Sequence, residues 1–368
     1  MRRGHVNVQI PTEPIGSIPR PLKLISAIKK YECGEISMDQ VDLLYDEAVR
    51  TTIDEFIATG SPVITDGEQR KYHNFASYCV HGLPNFAPDG FKLQFENHYR
   101  ILPRITAGPF SYRQSADTHL QRAMELTNMP IKQAVISPSA LSLFYPAKNI
   151  AGYAREQFIE ELLEQHEAEI RRCLALGAHS VQIDFTEGRL ANKLDASGQI
   201  LRNFVNLNNM ALDRFNQTER RRIGVHTCPG GDCDSTHSAD VDYSELLPSL
   251  FELNACNFYI ALARESDRPR ILRMISQYIK PHQMAYIGVI DPLNPEIETV
   301  QSVVDRVVEA AQYIPLAQLG TTDDCGFAPF SDDTSTSRET AFAKIRNRIE
   351  GTRLANEFLN IKTARNLL

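Results

Sequence analysis

The sequence predicts an α/β chain folded as a (β/α)8 TIM barrel with an inserted hairpin or loop region. Three observations carry this. Short β-branched runs alternate with long helical patterns, the order that puts helices outside a parallel sheet. Eight such runs can be counted along the 368 residues, and eight β/α units close a barrel. Polar residues crowd the ends of the runs, where a barrel keeps its chemistry: Ser17, Glu68, Ser137, Asp184, His226, Cys228, Asp291 and Cys325. An open, doubly wound sheet fits less well, because no Gly-rich phosphate turn follows the first run.

The first strand is read from Val6 to Ser17, ending in Ile15-Gly16-Ser17. A helix begins near Asp39, with Val41, Leu44, Tyr45, Ala48, Val49, Ile53, Phe56 and Ile57 at its apolar positions. Gly60 stops it, as a glycine just past a helix end does. SPVITDGE is the second strand, ending in Asp66-Gly67-Glu68. Residues 71–110 are rich in aromatics, Pro and Gly, and read as an insertion carrying a hairpin. QAVISPS (133–139) is the third strand. A helix over 153–176 follows, built on Phe158, Ile159, Leu162, Leu163, Ile170 and Leu174. SVQIDF (180–185), IGVHTC (223–228), NFYIAL (257–262), YIGVID (286–291) and LAQLGTTDDC (316–325) are the remaining strands. Between the last two lies a helix with Ile297, Val300, Val303, Val304, Val307 and Val308 on its apolar face. No linker, low-complexity segment or repeat interrupts the pattern. Residues 1–368 therefore read as one domain.

Composition narrows the function. Hydrophobic residues make up 42% and charged residues 23%, as in a soluble globular protein. A net charge of -7 argues against a nucleic-acid partner. No apolar run approaches the ~18 residues of a membrane span, and the arginines near the start lead into no apolar signal segment. Seven cysteines, odd in number and thinly spread, are not a disulfide framework. They point to a reducing, cytoplasmic setting with thiols free to bind metal. Whether the chain forms a homo-oligomer is open at this level.

The sharpest chemical signal is His226-Thr227-Cys228 at one strand end, with Cys325 at the end of the last. Residues i and i+2 of a strand point the same way, so His226 and Cys228 can face one point. In a closed barrel the strand rims converge, which lets Cys325 reach it. Two thiolates and an imidazole suit Zn2+, and three protein ligands leave the open position of a catalytic site. The competing reading is that buried cysteines merely pack.

Five segments, in order, resemble the C-terminal catalytic barrel of cobalamin-independent methionine synthase: EPIGSIP, ITDGEQR, VQIDFTEG, VHTC and TTDDCGF. The resemblance implies that His226, Cys228 and Cys325 hold zinc. It implies that Ile15, Gly16, Ser17, Glu68 and Asp184 hold the amino-acid part of a homocysteine-like thiol. It implies alkyl transfer, methyl by preference, from a donor to that thiol.

The chain departs from the family in three places. Ala261 stands where the family often has a glutamate ligand, so Glu265 and Glu187 are the substitutes to examine. Leu293 stands near the family's acid histidine, leaving Asp291 as the neighbouring acid. The family's tryptophan has no equivalent, since the chain has no Trp, and Phe144 or Tyr145 is the stand-in. The loss at Ala261 makes the chain also similar to epoxyalkane:coenzyme M transferase, whose zinc is held by an H-x-C…C set and which opens an epoxide with a thiolate. The loop CPGGDCDSTHSADVDY offers Asp234, His237 and Asp240 as groups around the metal. A barrel that binds zinc or an amino thiol without turning it over is the non-catalytic alternative.

Overall fold

A computed structural model describes residues 9–365. Six parallel strands form the main sheet: β1 (Lys132–Ile136), β2 (Ser180–Asp184), β3 (Ile223–Thr227), β4 (Asn257–Ile260), β5 (Met284–Ile290) and β6 (Leu319–Asp323). Each pairs with the next in chain order. They are almost wholly buried, which explains their continuous apolar runs.

Two further staves close the ring without forming regular strands. The Glu13 N–H donates to Thr321 O at 3.0 Å, and Thr321 N–H to Pro11 O at 2.9 Å. Ile64 bridges Ile131 on the other side, with Lys132 N–H donating to Ile64 O at 2.9 Å. The two staves meet through Ile18 N–H to Gly67 O (3.0 Å) and Thr65 Oγ1 to Gly16 O (2.8 Å). The barrel therefore has its eight positions. The two runs expected as strands at 6–17 and 61–68 are instead extended segments with single bridges. Pro11, Pro14 and Pro62 lack the N–H that a ladder needs. Val6 to Val8 of the first run lie outside the described residues.

Around the barrel, helix Met38–Ala58 is capped by a Ser37/Gln40 capping box. Arg155–Leu176 ends at Gly177, whose φ of 101° needs a glycine. Val300–Ala310 matches the valine pattern, but Ile297 falls before it and is exposed. Helices Leu22–Glu32 and Arg338–Arg365 complete the shell.

The insertion is a hairpin. Phe86–Ala87 pairs with Arg104–Ile105, and Lys92–Gln94 with Tyr99–Ile101, both antiparallel. It is latched to the rim of the barrel. Glu96 N–H donates to Ser235 Oγ (3.1 Å), and Thr236 Oγ1 donates to Glu96 Oε1 (2.9 Å). Arg100 spans Asp232 (2.6 Å) and Asp332 (2.9 Å). The hairpin therefore reaches over the C-terminal ends of the strands. Among the described residues no helix is long and apolar enough to cross a membrane.

Candidate functional site

The strand register sets the site. His226 on β3 lies beside Asp184 on β2 and Tyr259 on β4. Cys228 follows β3, and Cys325 follows β6. One ligand atom from each of His226, Cys228 and Cys325 lies within 4.8 Å of the other two. The two sulfurs are 3.2 Å apart. All three residues are buried, and neither nitrogen of the His226 ring has a hydrogen-bond partner. A buried imidazole with both nitrogens unpaired is costly, and a cation between the three groups would remove that cost. The hydrogen bond between the two thiols lowers the Cys325 pKa and raises that of Cys228. Two sulfurs and a nitrogen at such spacing fit zinc.

Ala261 forms one small buried cluster with Cys228 and Cys325. Neither substitute carboxylate stands free. Glu265 pairs with Arg189 at 2.8 Å. Glu187 accepts hydrogen bonds from Ser137 Oγ (2.5 Å) and Ser139 Oγ, and burial pushes its pKa up to about 7.

Next to the cluster opens a small cavity of about 30 Å³. Its polar wall includes Ser17, Glu68, Asp184, His226 and Cys325, with Ile15 beside them; its apolar wall is Phe75, Leu93, Phe95, Pro329 and Phe330. Glu68 sits at φ 57°, a strained conformation for a non-glycine. The turn that holds it is braced by buried Arg20, which donates to the carbonyls of Glu68 (3.0 Å) and Lys71 (2.7 Å). Lys71 Nζ lies 3.1 Å from Glu68 Oε2. A Cβ on Gly16 would come within 2.9 Å of Glu68 Oε1, so glycine lets this carboxylate lie against the backbone. Gln182 Nε2 donates to Asp184 Oδ1 at 2.7 Å. Burial and the Glu68 charge push the Asp184 pKa up to about 6. The Ile15 N–H is taken by Asp323.

Ser17 ties the first stave to the Cys325 loop. Its carbonyl accepts from Phe327 N–H at 2.9 Å and its Oγ from Ala328 N–H at 3.3 Å. A Cβ on Gly326 would stand 2.0 Å from Ser17 Oγ. Gly326→Ala is expected to lower stability by about 1–3 kcal/mol and to loosen the Cys325 loop. Urea melts read the first effect; unchanged stability would mean the loop yields freely.

Among the other expected site residues, His237 lines the cavity. Its ring is buried, and burial pushes its pKa down to about 3. Asp234 is exposed at φ 58° on the turn between Gly231–Asp232 and Ser235–Thr236. Asp240 is exposed and pairs with Lys193. Glu187 and Asp291 do not line the cavity. Asp291 Oδ1 instead accepts from Leu293 N–H at 3.0 Å, and its carboxylate lies 3.5 Å from Arg264. Leu293 packs toward Gly231. Phe144 and Tyr145 are buried in the main core and do not line the cavity; the aromatic wall comes from Phe75, Phe95 and Phe330. Asp324, next to Cys325, also went unread in the sequence. It accepts from the N–H groups of Leu262 (2.7 Å), Ala263 (2.7 Å) and Arg264 (3.1 Å), which fixes the loop after Ala261.

Comparisons with known proteins agree with this layout. A methionine synthase of Sulfurisphaera tokodaii is 23% identical over 358 residues, covering 96% of this chain and 94% of that protein. One of Saccharolobus solfataricus is 24% identical over 359 residues, covering 96% and 97%. A B12-independent methionine synthase from a Shewanella species, solved with selenomethionine, superposes with a TM-score of 0.74 at 18% identity, over 95% of this chain and 99% of that one. A Listeria monocytogenes structure described as a putative vitamin-B12 independent methionine synthase gives 0.65 at 22% identity, with the same coverage. The family described as "Cobalamin-independent synthase, Catalytic domain" matches residues 10–352, and the chain belongs to that family.

Proposed function

We propose that this protein, as a single barrel domain, transfers an alkyl group, methyl by preference, to the sulfur of a small amino thiol such as homocysteine. Zinc would be held by His226, Cys228 and Cys325. The observation that carries this reading is the buried His226/Cys228/Cys325 cluster, with an unpartnered imidazole, on the wall of a cavity that also exposes Glu68 and Asp184. The names of the relatives support the same chemistry. Zinc, when bound, would stabilise the substrate sulfur as a thiolate at neutral pH.

The chain's own groups bind and aim the substrate. Glu68 and Asp184 would receive an ammonium group through charge-assisted hydrogen bonds. Lys71 behind Glu68 and Gln182 beside Asp184 fix the two carboxylates. The backbone at Gly16 and Ser17 would receive the substrate carboxylate. Fixing the sulfur beside the apolar wall shortens the approach to a donor and excludes water.

Calorimetric titration of zinc-loaded protein with homocysteine tests this. Glu68→Gln should weaken binding by roughly tenfold or more, the value of a hydrogen bond to a charged group. Mercaptoethanol, which has no ammonium, should bind both proteins alike. Equal homocysteine affinity in the variant would remove Glu68 from the substrate site.

A further inference from the structure

We propose that the alkyl donor is an onium compound, a sulfonium or quaternary ammonium, whose positive charge is received by the aromatic corner of Phe75, Phe95 and Phe330. This rests on the thiol-alkylation reading above and names the donor class for the same cavity.

The first support is geometric. Phe75 and Phe95 stand at 89° and 86° to Phe330, with centroids 6.0 and 6.3 Å from it. Phe75 and Phe95 each meet Phe330 edge to face, so neither stacks flat on it. Parallel planes would hold a flat heteroaromatic donor by stacking. A corner of ring faces and edges suits a compact, rounded group, and aromatic faces attract cations.

The second support is electrostatic. No lysine or arginine lines the cavity among the described residues, whereas Glu68 and Asp184 do. Arg100 lies 4.4 Å from the Phe330 ring, but it lines a separate cavity that shares Phe330. Its charge is met by Asp232 and Asp332. Lys71, behind the lining at 3.1 Å from Glu68, offsets that carboxylate, so the wall itself offers no cation and one further carboxylate, Asp184.

The third support is the charge balance of the reaction. The thiolate sulfur attacks the methyl carbon; the S–C bond forms as the bond from carbon to the onium sulfur or nitrogen breaks. The bonding pair stays on that heteroatom and cancels its positive charge. The leaving group departs as a neutral sulfide or amine and needs no proton. Anion and cation become two neutral products, which an apolar wall favours over water. A neutral donor would leave as an anion against Phe75, Phe95 and Leu93, and would need an acid. Asp291 lies off the cavity, and burial leaves His237 neutral.

The test compares choline with dimethylbutanol, its neutral carbon isostere, on zinc-loaded protein saturated with homocysteine. Choline should bind roughly tenfold tighter, in the range of cation–π recognition at a desolvated site. Phe330→Leu and Phe95→Leu should each shrink that ratio. If a variant misfolds by circular dichroism, the choline ratio on the unaltered protein still decides. Turnover is then measured with trimethylsulfonium, glycine betaine and methyltetrahydrofolate. Methylation of homocysteine by either onium supports the proposal. An isostere that binds as well as choline overturns it. Methylation from methyltetrahydrofolate alone also overturns it, yet leaves thiol alkylation standing. Failure of homocysteine itself to bind overturns both.

Discussion

Cys325→Ser is expected to lose the bound zinc. Cys325 and Cys228 face each other at 3.2 Å from the ends of β6 and β3, and His226 completes the set. Replacing a thiolate with a hydroxyl removes an anionic ligand that serine does not replace at neutral pH. Even partners that only orient a ligand are worth roughly 10–100-fold in metal affinity, so the ligand itself should exceed that. Elemental analysis after gel filtration should find about one zinc per chain in the unaltered protein and little in Cys325→Ser, Cys228→Ser or His226→Ala. Two controls sharpen the result. Cys33 is exposed, and Cys33→Ser should keep its zinc. His98, Asp232 and Cys233 form a second grouping of ligand-type atoms, but Asp232 is already engaged by Arg100 at 2.6 Å and His98 at 2.7 Å. A guanidinium in that place repels a dication, so Cys233→Ser should keep zinc as well. Full zinc in Cys325→Ser would remove that ligand from the site.

The six paired strands were legible because each is a short apolar run between helical patterns, and burial on both faces demands that composition. The first two staves were legible in position but not in form, since prolines leave them with single bridges. The His226, Cys228 and Cys325 grouping could be read from the i, i+2 rule and barrel convergence together with the family resemblance. Its surroundings could not. Where a loop side chain turns depends on contacts distant in sequence, such as Arg20 with the 68–71 turn or Arg100 with Asp232 and Asp332. The aromatic wall was hidden for the same reason. Phe75 and Phe95 belong to the irregular insertion and Phe330 to a loop far along the chain, and no periodicity links them. Phe144 and Tyr145 were site candidates from the family resemblance, but beyond the helix Pro138–Ser142 they are buried in the core. Asp291 follows the end of β5 and Glu187 opens the helix after β2, yet nearby serines, backbone and Arg264 engage their carboxylates.

Glu13→Gln is expected to destabilise the barrel by about 3–5 kcal/mol, the cost of leaving a buried charge without its partner. Glu13 lies on the first stave and is 4% exposed. Tyr259 on β4 donates to its Oε2 at 2.7 Å. Lys132 on β1 is buried 3.6 Å from the same oxygen and lies 3.9 Å from the Tyr259 ring centre. His179 approaches Oε1 at 3.5 Å. One carboxylate thus links three positions around the ring. Burial alone would raise its pKa; His179, the Lys132 charge and Tyr259 outweigh burial and hold it at about 2, against 4.5 for a free glutamate. The unfolded chain therefore takes up this proton first as pH falls. The stabilisation is fully present above about pH 4.5 and is lost as the pH drops toward about 2. Glutamine keeps the size but removes the charge, so the variant should lack this part of the acid dependence. Removing both charges, as in Glu13→Gln with Lys132→Met, should recover much of the stability, because a buried pair replaced by neutral groups costs far less than a broken one. Urea unfolding of the single and double variants at neutral and acid pH reads all three expectations. A double variant no more stable than Glu13→Gln would show that the Lys132 charge is not what Glu13 offsets.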